Sequence, residues 1–469
     1  MEDRKIATQD HSGSERPAGE LGITDHDHGH TRDDVSEEVV EVGVPDSDQQ
    51  CEKIDKKNRQ FGEVDDEEYP EGGRGWLVLL GTFLVLNTTY GMVNTFGVYQ
   101  VYYETAYPDE SSSTISLIGS LQPTIIYLVS IPVVFLVNAI GPQWSLFVGA
   151  ILQVWAIMMI SICNAVWQLY LAQGVLFGIG AGINFFTAMA IPQEWFKRRR
   201  AMAVGVTASG SSLGGVIWPI AFQRLVDEVG FPWANRIIGF IFLPVLLFAC
   251  VAVKPRLPRV KEKHWTNLLP KWSVLKDWRF VALCLANGIG IFGLFPPLFY
   301  IETFASRLNV DKNVSQYILA ILNAFSIFGR VLPALAADKI GRLNALVPSV
   351  LSCGLFLFAF WYPAKGEALL LLTAIIWGAA SGTFIALFPP AIGQLFGLKD
   401  NRSRLGIFYL LAVPGCMAGP SIAGTFISKT GGIEGFNKVA AFSGAMFFGG
   451  ALIVIALRLS YSTKLAVFI

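Results

Sequence analysis

The sequence predicts an all-α membrane protein whose twelve transmembrane helices form two pseudo-symmetric six-helix bundles. The first observation is composition, because only 15% of the 469 residues are charged and 53% are hydrophobic, whereas soluble domains carry about 25% charged residues. The second is a series of apolar runs that begins at Trp76, each about 18–24 residues long, as a tilted membrane-spanning helix requires. The third is a set of loop motifs that recur 200 residues apart.

Twelve apolar runs define the predicted helices. A soluble protein cannot bury twelve helices of this length around one core, so the body of the chain is predicted to cross the membrane repeatedly. The predicted spans are 76–99, 114–137, 144–162, 167–190, 201–222, 235–253, 280–302, 315–336, 344–362, 368–389, 404–428 and 437–459.

The stretch before the first run has a different character. Residues 1–71 contain 22 acidic and 8 basic residues, and the remainder contains 14 acidic and 28 basic residues. Because residues 1–70 also have few aromatics and little periodicity, they are predicted to form a disordered acidic cytoplasmic tail. Three histidines in this tail, at positions 26, 28 and 30, resemble a short metal-binding tract, but a solvated polar tail is the simpler interpretation and no metal site is predicted.

Lysine and arginine in the loops predict the orientation. With the tail inside, the inner loops carry 17 basic residues and the outer loops about seven, so both termini are predicted to be cytoplasmic. The predicted organisation is an N-terminal bundle at 71–253, a basic cytoplasmic linker at 254–279, a C-terminal bundle at 280–459 and a short cytoplasmic tail at 460–469. The sequon at Asn313 would then face outside, as a candidate glycosylation site in a multi-pass protein of the cell membrane.

The two halves repeat one another. The sequence Asn138-Ala-Ile-Gly ends the second span and Asp338-Lys-Ile-Gly ends the eighth, 200 residues later. Glu194-Trp-Phe follows the fourth span and Gln394-Leu-Phe follows the tenth, at the same offset. A shared offset in equivalent loops indicates a duplicated six-helix unit, and parallel six-helix halves around a central site are typical of alternating-access transporters.

The end of the eighth span resembles the loop signature of the major facilitator superfamily. Ala334, Asp338, Lys339, Gly341 and Arg342 occupy the places of the small residue, the acid, the first base, the glycine and the second base. The resemblance implies the twelve-helix major facilitator fold and a gating role for residues 338–342. The first-half copy is degenerate, because Asn138 replaces the acid and Ala139 the base.

A basic run precedes the fifth span. Arg198, Arg199 and Arg200 are further candidate gating residues, and the alternative is that this run only sets topology and contacts lipid headgroups.

Two further stretches resemble the signatures of the monocarboxylate porter family, in its fungal branch. One is Glu71-Gly-Gly-Arg-Gly-Trp76 before the first span, and the other is Trp195-Phe-Lys-Arg-Arg-Arg-Ala-Met-Ala-Val-Gly205 before the fifth. The family resemblance implies a path with a lysine in the first span and an aspartate and an arginine in the eighth. Here those places hold Asn94, Ser326 and Arg330. Only the arginine is retained, so no cofactor is predicted and proton coupling by the family's route is left open.

Arg330 is the central candidate. It lies near the middle of the eighth run, about 12 Å of helix before Asp338, and a charge at this depth indicates function. No Asp or Glu is predicted deep in any span to compete with an anionic solute for it. The alternative is that Arg330 snorkels towards the inner face. Polar residues of the same spans complete the predicted substrate site, with helix packing as their alternative role: Asn94, Asn323, Ser326 and Tyr90.

The predicted function is secondary active or facilitative transport of a small organic solute by alternating access. The solute is a monocarboxylate-like organic anion or a secondary metabolite, and uptake and efflux are both open. A non-transporting nutrient sensor is the less favoured alternative. An enzyme is not predicted, since His264 is the only histidine outside the tail and no catalytic constellation lies in the spans. The expected partners are the solute and membrane lipid, with no nucleic acid, and the chain is expected to be monomeric.

Overall fold

The computed structural model describes residues 71–256, 269–308, 310–398, 400–430, 432–462 and 468, without the side chains of residues 112, 113, 312, 313 and 316. The predicted acidic tail, linker residues 257–268 with His264, and most of the predicted residues 463–469 lie outside the described residues. Within the described ranges the chain forms helices and short connections and no strand. The predicted all-helical class is confirmed.

Twelve membrane spans can be traced. Among the described residues, ten helices are long and apolar enough to cross a membrane, and a bent pair, Thr114–Leu128 and Ser130–Ile140, makes an eleventh span. The longest helix, Arg200–Ala252, is interrupted at Gly230, whose φ of 77° is left-handed. Glycine adopts this conformation without the penalty that a Cβ would bring. Gly230 therefore divides this helix into two spans, which gives twelve in all.

The spans are numbered α1 to α12 in chain order. Each is helical because a membrane offers the backbone no other hydrogen-bond partner. Their bounds are Arg74–Ala106, the bent pair Thr114–Leu128 and Ser130–Ile140, Pro142–Ile160, Val166–Trp195, 200–229, 231–252, Trp278–Arg307, Lys312–Ile340, Arg342–Trp361, Glu367–Phe396, Asn401–Thr430 and Gly432–Tyr461. The end that carries the α4–α5, α6–α7, α8–α9 and α10–α11 connections is called the basic end, and the other the opposite end.

Several helices are longer than their apolar runs. The run ended at residue 302 in α7, but the helix continues to Arg307, so Glu302 lies inside a span. The prediction concerned acids deep in a span, and Glu302 lies five residues before the end of α7. α8 begins at Lys312, which places Asn313 in its first helical turn; its modification stays a prediction. The length of an apolar run reflects the thickness of the hydrocarbon core. The helix itself can continue beyond the run into the polar interface, because its backbone hydrogen bonds are still satisfied there.

Glycine seams bring helices of each half together. Gly210 and Gly214 of α5 face α1, where a Cβ would lie 2.0 Å from the carbonyl oxygen of Phe83 and 2.3 Å from that of Asn87. No side chain fits at such distances, so these positions require glycine. Small residues four apart allow helix backbones to approach closely.

The 200-residue offset recurs in this packing. A Cβ at Gly182 of α4 would lie 3.0 Å from the carbonyl oxygen of Ile126 on α2. A Cβ at Gly382 of α10 would lie 2.5 Å from the carbonyl oxygen of Ser326 on α8. All four positions are related in pairs by 200 residues, so the α2–α4 and α8–α10 contacts are equivalent.

Candidate functional site

A cavity lies between the two sets of six helices. The empty space, including the solvent at its opening, is about 840 Å³. Eight helices contribute to it. The lining residues are Leu86, Tyr90, Asn94, Tyr127, Phe185, Met189, Ala208, Ser211, Asn287, Ile291, Leu294, Phe295, Leu298, Leu322, Asn323, Ser326, Arg330, Ser381, Phe384, Ile385, Phe388, Pro389, Phe408 and Tyr409.

Among the described residues that line the cavity, Arg330 is the only charged one. It is 5% exposed, and its Nη1 donates hydrogen bonds to the carbonyl oxygen of Ala208 and to the Oγ of Ser211, both on α5. Its Nε is buried and has no hydrogen-bond partner among the described residues. A buried cation with a spare donor and no acidic neighbour in the lining favours an anionic ligand.

The other predicted substrate residues lie in the same cavity. Asn94 Nδ2 donates to the carbonyl oxygen of Ser211 and to Asn323 Oδ1, each at 3.4 Å. Asn323 also donates to the carbonyl oxygen of Leu319 at 3.0 Å. Ser326 lies one helical turn before Arg330 and is 2% exposed. The structure therefore brings together Arg330, Asn94, Asn323, Ser326 and Tyr90.

Aromatic rings cluster in the same cavity. The rings of Tyr127 on α2 and Tyr409 on α11 stack with centroids 5.2 Å apart, and Phe185 on α4 meets Tyr409 edge-on at 5.1 Å. Tyr90 packs on Phe185 at 4.9 Å. The Tyr409 hydroxyl is buried without a hydrogen-bond partner among the described residues. Such rings suit a flat, apolar ligand with a polar edge.

These aromatic residues, apart from Tyr90, were not predicted. An aromatic residue in an apolar run does not stand out, because rings also serve in packing and at membrane interfaces. The only available signal was a tyrosine placed well inside a span, as at Tyr127 and Tyr409, since its hydroxyl needs a polar environment there. Among the described residues no group of three or more His, Cys, Asp or Glu could hold a metal ion.

The predicted gating loop connects two helices at the basic end. The Asp338 carboxylate accepts hydrogen bonds from the backbone N–H groups of Ala201 at 3.0 Å and Met202 at 2.9 Å. These are the first N–H groups of α5, where a negative charge is stabilised by the helix dipole. Arg342 forms an ion pair with Asp338 at 2.7 Å and donates to the carbonyl oxygen of Lys197 at 3.0 Å. Asp338 therefore joins α8 to α5.

A second cluster lies beside it. Arg200 is buried, and its Nη1 donates to the carbonyl oxygen of Gly393 on α10 at 2.7 Å. Glu194 on α4 forms an ion pair with Arg402 on α11 at 2.7 Å. The Glu194–Arg402 pair was missed, although Glu194 belongs to one of the repeated motifs.

The remaining predicted gating residues have other positions. Gly341 has a φ of 99°, which makes the α8–α9 turn possible. The other three residues are exposed at the basic end: Arg198, Arg199 and Lys339.

The two signature stretches contact each other. The Oε1 atom of Glu71 accepts hydrogen bonds from the backbone N–H groups of Lys197, at 2.8 Å, and Arg198, at 2.5 Å. The rings of Trp76 and Phe196 meet edge-on with centroids 5.5 Å apart. The start of α1 thus packs on the α4–α5 connection, and the two motifs form one contact region.

Comparison with known proteins agrees with this architecture. The family model described as Major Facilitator Superfamily matches residues 75–368. MFS-type transporter 1 of Ophiocordyceps sp. (strain BCC 1869) is 34% identical over 401 residues, which are 84% of this chain and 88% of that protein. The aspyridones efflux protein apdF of Emericella nidulans is 35% identical over 404 residues, which are 84% of this chain and 80% of that protein.

The fold is also that of solved transporters. The human organic anion transporter MFSD10 (TETRAN) superimposes with a TM-score of 0.63 at 15% identity, over 81% of this chain and 98% of that one. Family model, relatives and fold agree with a multi-pass transporter of small organic solutes. The chain therefore belongs to the major facilitator superfamily.

Proposed function

We propose that this transporter exports an aromatic organic anion, such as a secondary metabolite, across the cell membrane. The observation that carries the proposal is the pairing, in one cavity, of the buried Arg330 guanidinium with the aromatic cluster formed by Tyr90, Tyr127, Phe185 and Tyr409. The cation attracts the acidic group and the rings hold a flat apolar body.

Export is favoured over uptake of a small monocarboxylate for two reasons. The relative apdF is named for the efflux of aspyridones, and eight aromatic side chains line the cavity, which a two- or three-carbon acid would not need. Asn94 and Ser326 occupy the positions where the monocarboxylate porters have a lysine and an aspartate. This chain therefore lacks two of the residues that proton symport in that family uses. Uptake of a monocarboxylate-like nutrient is the competing candidate.

We also propose the finer family, orientation and organisation. The contact of Glu71 with the α4–α5 connection supports membership of the monocarboxylate porter branch, because both stretches resemble its signatures. The excess of basic residues at the basic end supports a cytoplasmic location for this end and for both termini. The equivalent α2–α4 and α8–α10 contacts support two six-helix halves, 71–253 and 280–459.

Flux in proteoliposomes tests the substrate class. We expect 1-naphthoate to be carried faster than 1-naphthamide, which lacks the charge, and faster than the fully saturated ring acid. Arg330→Ala should lower 1-naphthoate flux about 10- to 100-fold, because a charge-assisted hydrogen bond is worth about 1.5–3 kcal/mol. Arg330→Lys, which keeps the charge, should retain part of the flux.

The matched control is Arg236→Ala on α6. Arg236 is an arginine of a membrane span that bonds Ser161 at 3.2 Å and is not part of the cavity lining. Its loss should leave flux unchanged. Equal transport of naphthoate and naphthamide, or normal flux in a correctly inserted Arg330→Ala protein, would refute the proposal.

A further inference from the structure

Glu302 continues the cavity-lining face of α7 towards the opposite end. On this helix the lining residues Ile291, Leu294 and Leu298 are three and four residues apart, the spacing of one helical face. Glu302 follows four residues after Leu298, so it lies on this face one turn beyond the cavity.

Gly97 has the equivalent position on α1. The lining residues of α1 are Leu86, Tyr90 and Asn94, and Gly97 lies in the next turn. A Cβ at Gly97 would be 3.5 Å from Oε2 of Glu302. The Glu302 carboxylate therefore lies beside the backbone of α1, and we call the space between α1 and α7 at Glu302 and Gly97 the mouth of the cavity.

The charge at the mouth is not neutralised. Glu302 is half-buried and has no ion pair with a described residue, whereas Asp338 and Glu194 at the basic end are both paired with arginine. Neighbouring elements carry other titratable and charged side chains at the opposite end. They include Tyr99, Tyr102, Tyr103, Glu104, Tyr107, Asp109 and Glu110 on or after α1, Arg224, Asp227 and Glu228 on α5, Tyr300 and Arg307 on α7, Asp311 and Tyr317 at the start of α8, Glu367 on α10, Lys429 on α11, and Glu434 and Lys438 on α12.

Closing the mouth has a different cost for the two forms of this carboxyl group. Tighter packing of α1 on α7 would bury Glu302 further and leave its carboxylate against the backbone of Gly97, which brings no side chain to pair with it. An unpaired carboxylate loses most of its favourable hydration on burial, whereas the neutral acid loses far less. The ionised form would also repel an anion that passes the mouth.

We propose that Glu302 is a proton-binding site at the mouth of the cavity and that the mouth closes only when its carboxyl group is protonated. The proton comes from the solution at the opposite end, forms the O–H bond of the acid before closure and returns to solution when the mouth reopens. The role of the site in anion transport rests on the proposed function, but the closure itself is independent of the substrate.

Cysteine accessibility measures the closure without a substrate. Leu298→Cys places a thiol in the cavity next to the mouth, and a membrane-impermeant methanethiosulfonate reagent labels it from the opposite end, with the labelled peptide quantified by mass. Each labelling rate is divided by that of Leu298→Cys combined with Glu302→Gln at the same pH, which cancels the ionisation of the thiol. The amide cannot ionise, so the mouth of the double variant closes at every pH.

The expected ratio rises with pH, by about tenfold for each pH unit once the carboxylate predominates, until the mouth is fully open. Glu302→Asp, which still titrates, should keep the rise, and so should Glu104→Gln, which removes an exposed acid of α1 at the same end. A ratio that stays constant from pH 5 to pH 8, or a Glu104→Gln variant that abolishes the rise, would overturn the proposal. Loss of 1-naphthoate flux in all variants with the rise intact would refute the proposed function alone.

Discussion

Replacing Asp338 with asparagine tests whether the cluster at the basic end keeps that end closed. The carboxylate accepts two backbone N–H groups of α5 and the guanidinium of Arg342, and its side chain is only 8% exposed. Asparagine retains one acceptor oxygen but no charge. Hydrogen bonds to charged groups contribute about 1.5–3 kcal/mol each and neutral ones about 1 kcal/mol, so the loss is roughly 2–4 kcal/mol.

This loss should move the population towards the state that is open at the basic end. At a factor of ten for each 1.4 kcal/mol, the open fraction rises roughly 30- to 700-fold until it saturates. Met189→Cys reports on it, because Met189 lines the cavity one turn before Gln193 and is 1% exposed while the basic end is closed. The labelling rate by a thiol reagent supplied at the basic end should rise by the same factor in Met189→Cys/Asp338→Asn.

Asp400→Asn is the matched control. Asp400 forms an ion pair with Lys271 at 2.9 Å, but both residues follow α6 in the chain, so this pair does not connect the two sets of six helices. Labelling of Met189→Cys should not change in this variant. An unchanged rate in the Asp338→Asn protein, or an equal rise in Asp400→Asn, would refute the role of Asp338 as the closing contact.

Two smaller changes test packing and recognition. Gly205→Ala would place a Cβ 2.2 Å from the carbonyl oxygen of Arg330, so it should push α5 away from α8, cost about 1–3 kcal/mol and lower the unfolding temperature in detergent. Gly449→Ala is the control, because its Cβ would lie at an ordinary contact distance of 3.6 Å from Ile289. Equal unfolding temperatures for the two variants would contradict the packing argument. Tyr409→Leu should weaken 1-naphthoate binding about two- to tenfold by loss of ring stacking, and it should leave binding of the saturated ring acid unchanged, as measured by competition. An equal loss of affinity for the two acids would exclude stacking.

The sequence predicted well whatever depends on a local cost. A charged arginine inside a membrane span costs free energy, and such residues are usually functional. Arg330 could therefore be singled out as a candidate without coordinates. In the structure, Asn94, Asn323 and Ser326 line the same cavity. The twelve spans could be predicted because a membrane helix must be apolar along its whole length in the hydrocarbon core. The repeated loop motifs even anticipated the offset that relates Gly182 to Gly382 in the packing.

Features that depend on two distant segments could not be predicted. Two contacts join residues that are far apart in sequence: the Glu194–Arg402 ion pair and the contact of Glu71 with the α4–α5 connection. None of these residues is unusual in its local sequence. Tyr127 and Tyr409 look like ordinary span aromatics until α2 and α11 stack them. Glu302 was placed at a helix boundary because its charge ended the apolar run, although α7 continues to Arg307.

One helix pair carries both the proposed substrate-binding cation and the proposed closing contact. Arg330 and Asp338 lie on α8, and they bind α5 at Ala208 and at Ala201 respectively. An anion that draws the guanidinium away from Ala208 and Ser211 would remove hydrogen bonds between α5 and α8, and thus weaken the interface that Asp338 stabilises about 12 Å away along the helix. Because a ligand shifts a conformational equilibrium only by its differential affinity for the two states, this competition for the guanidinium is the step by which substrate binding would favour opening of the basic end.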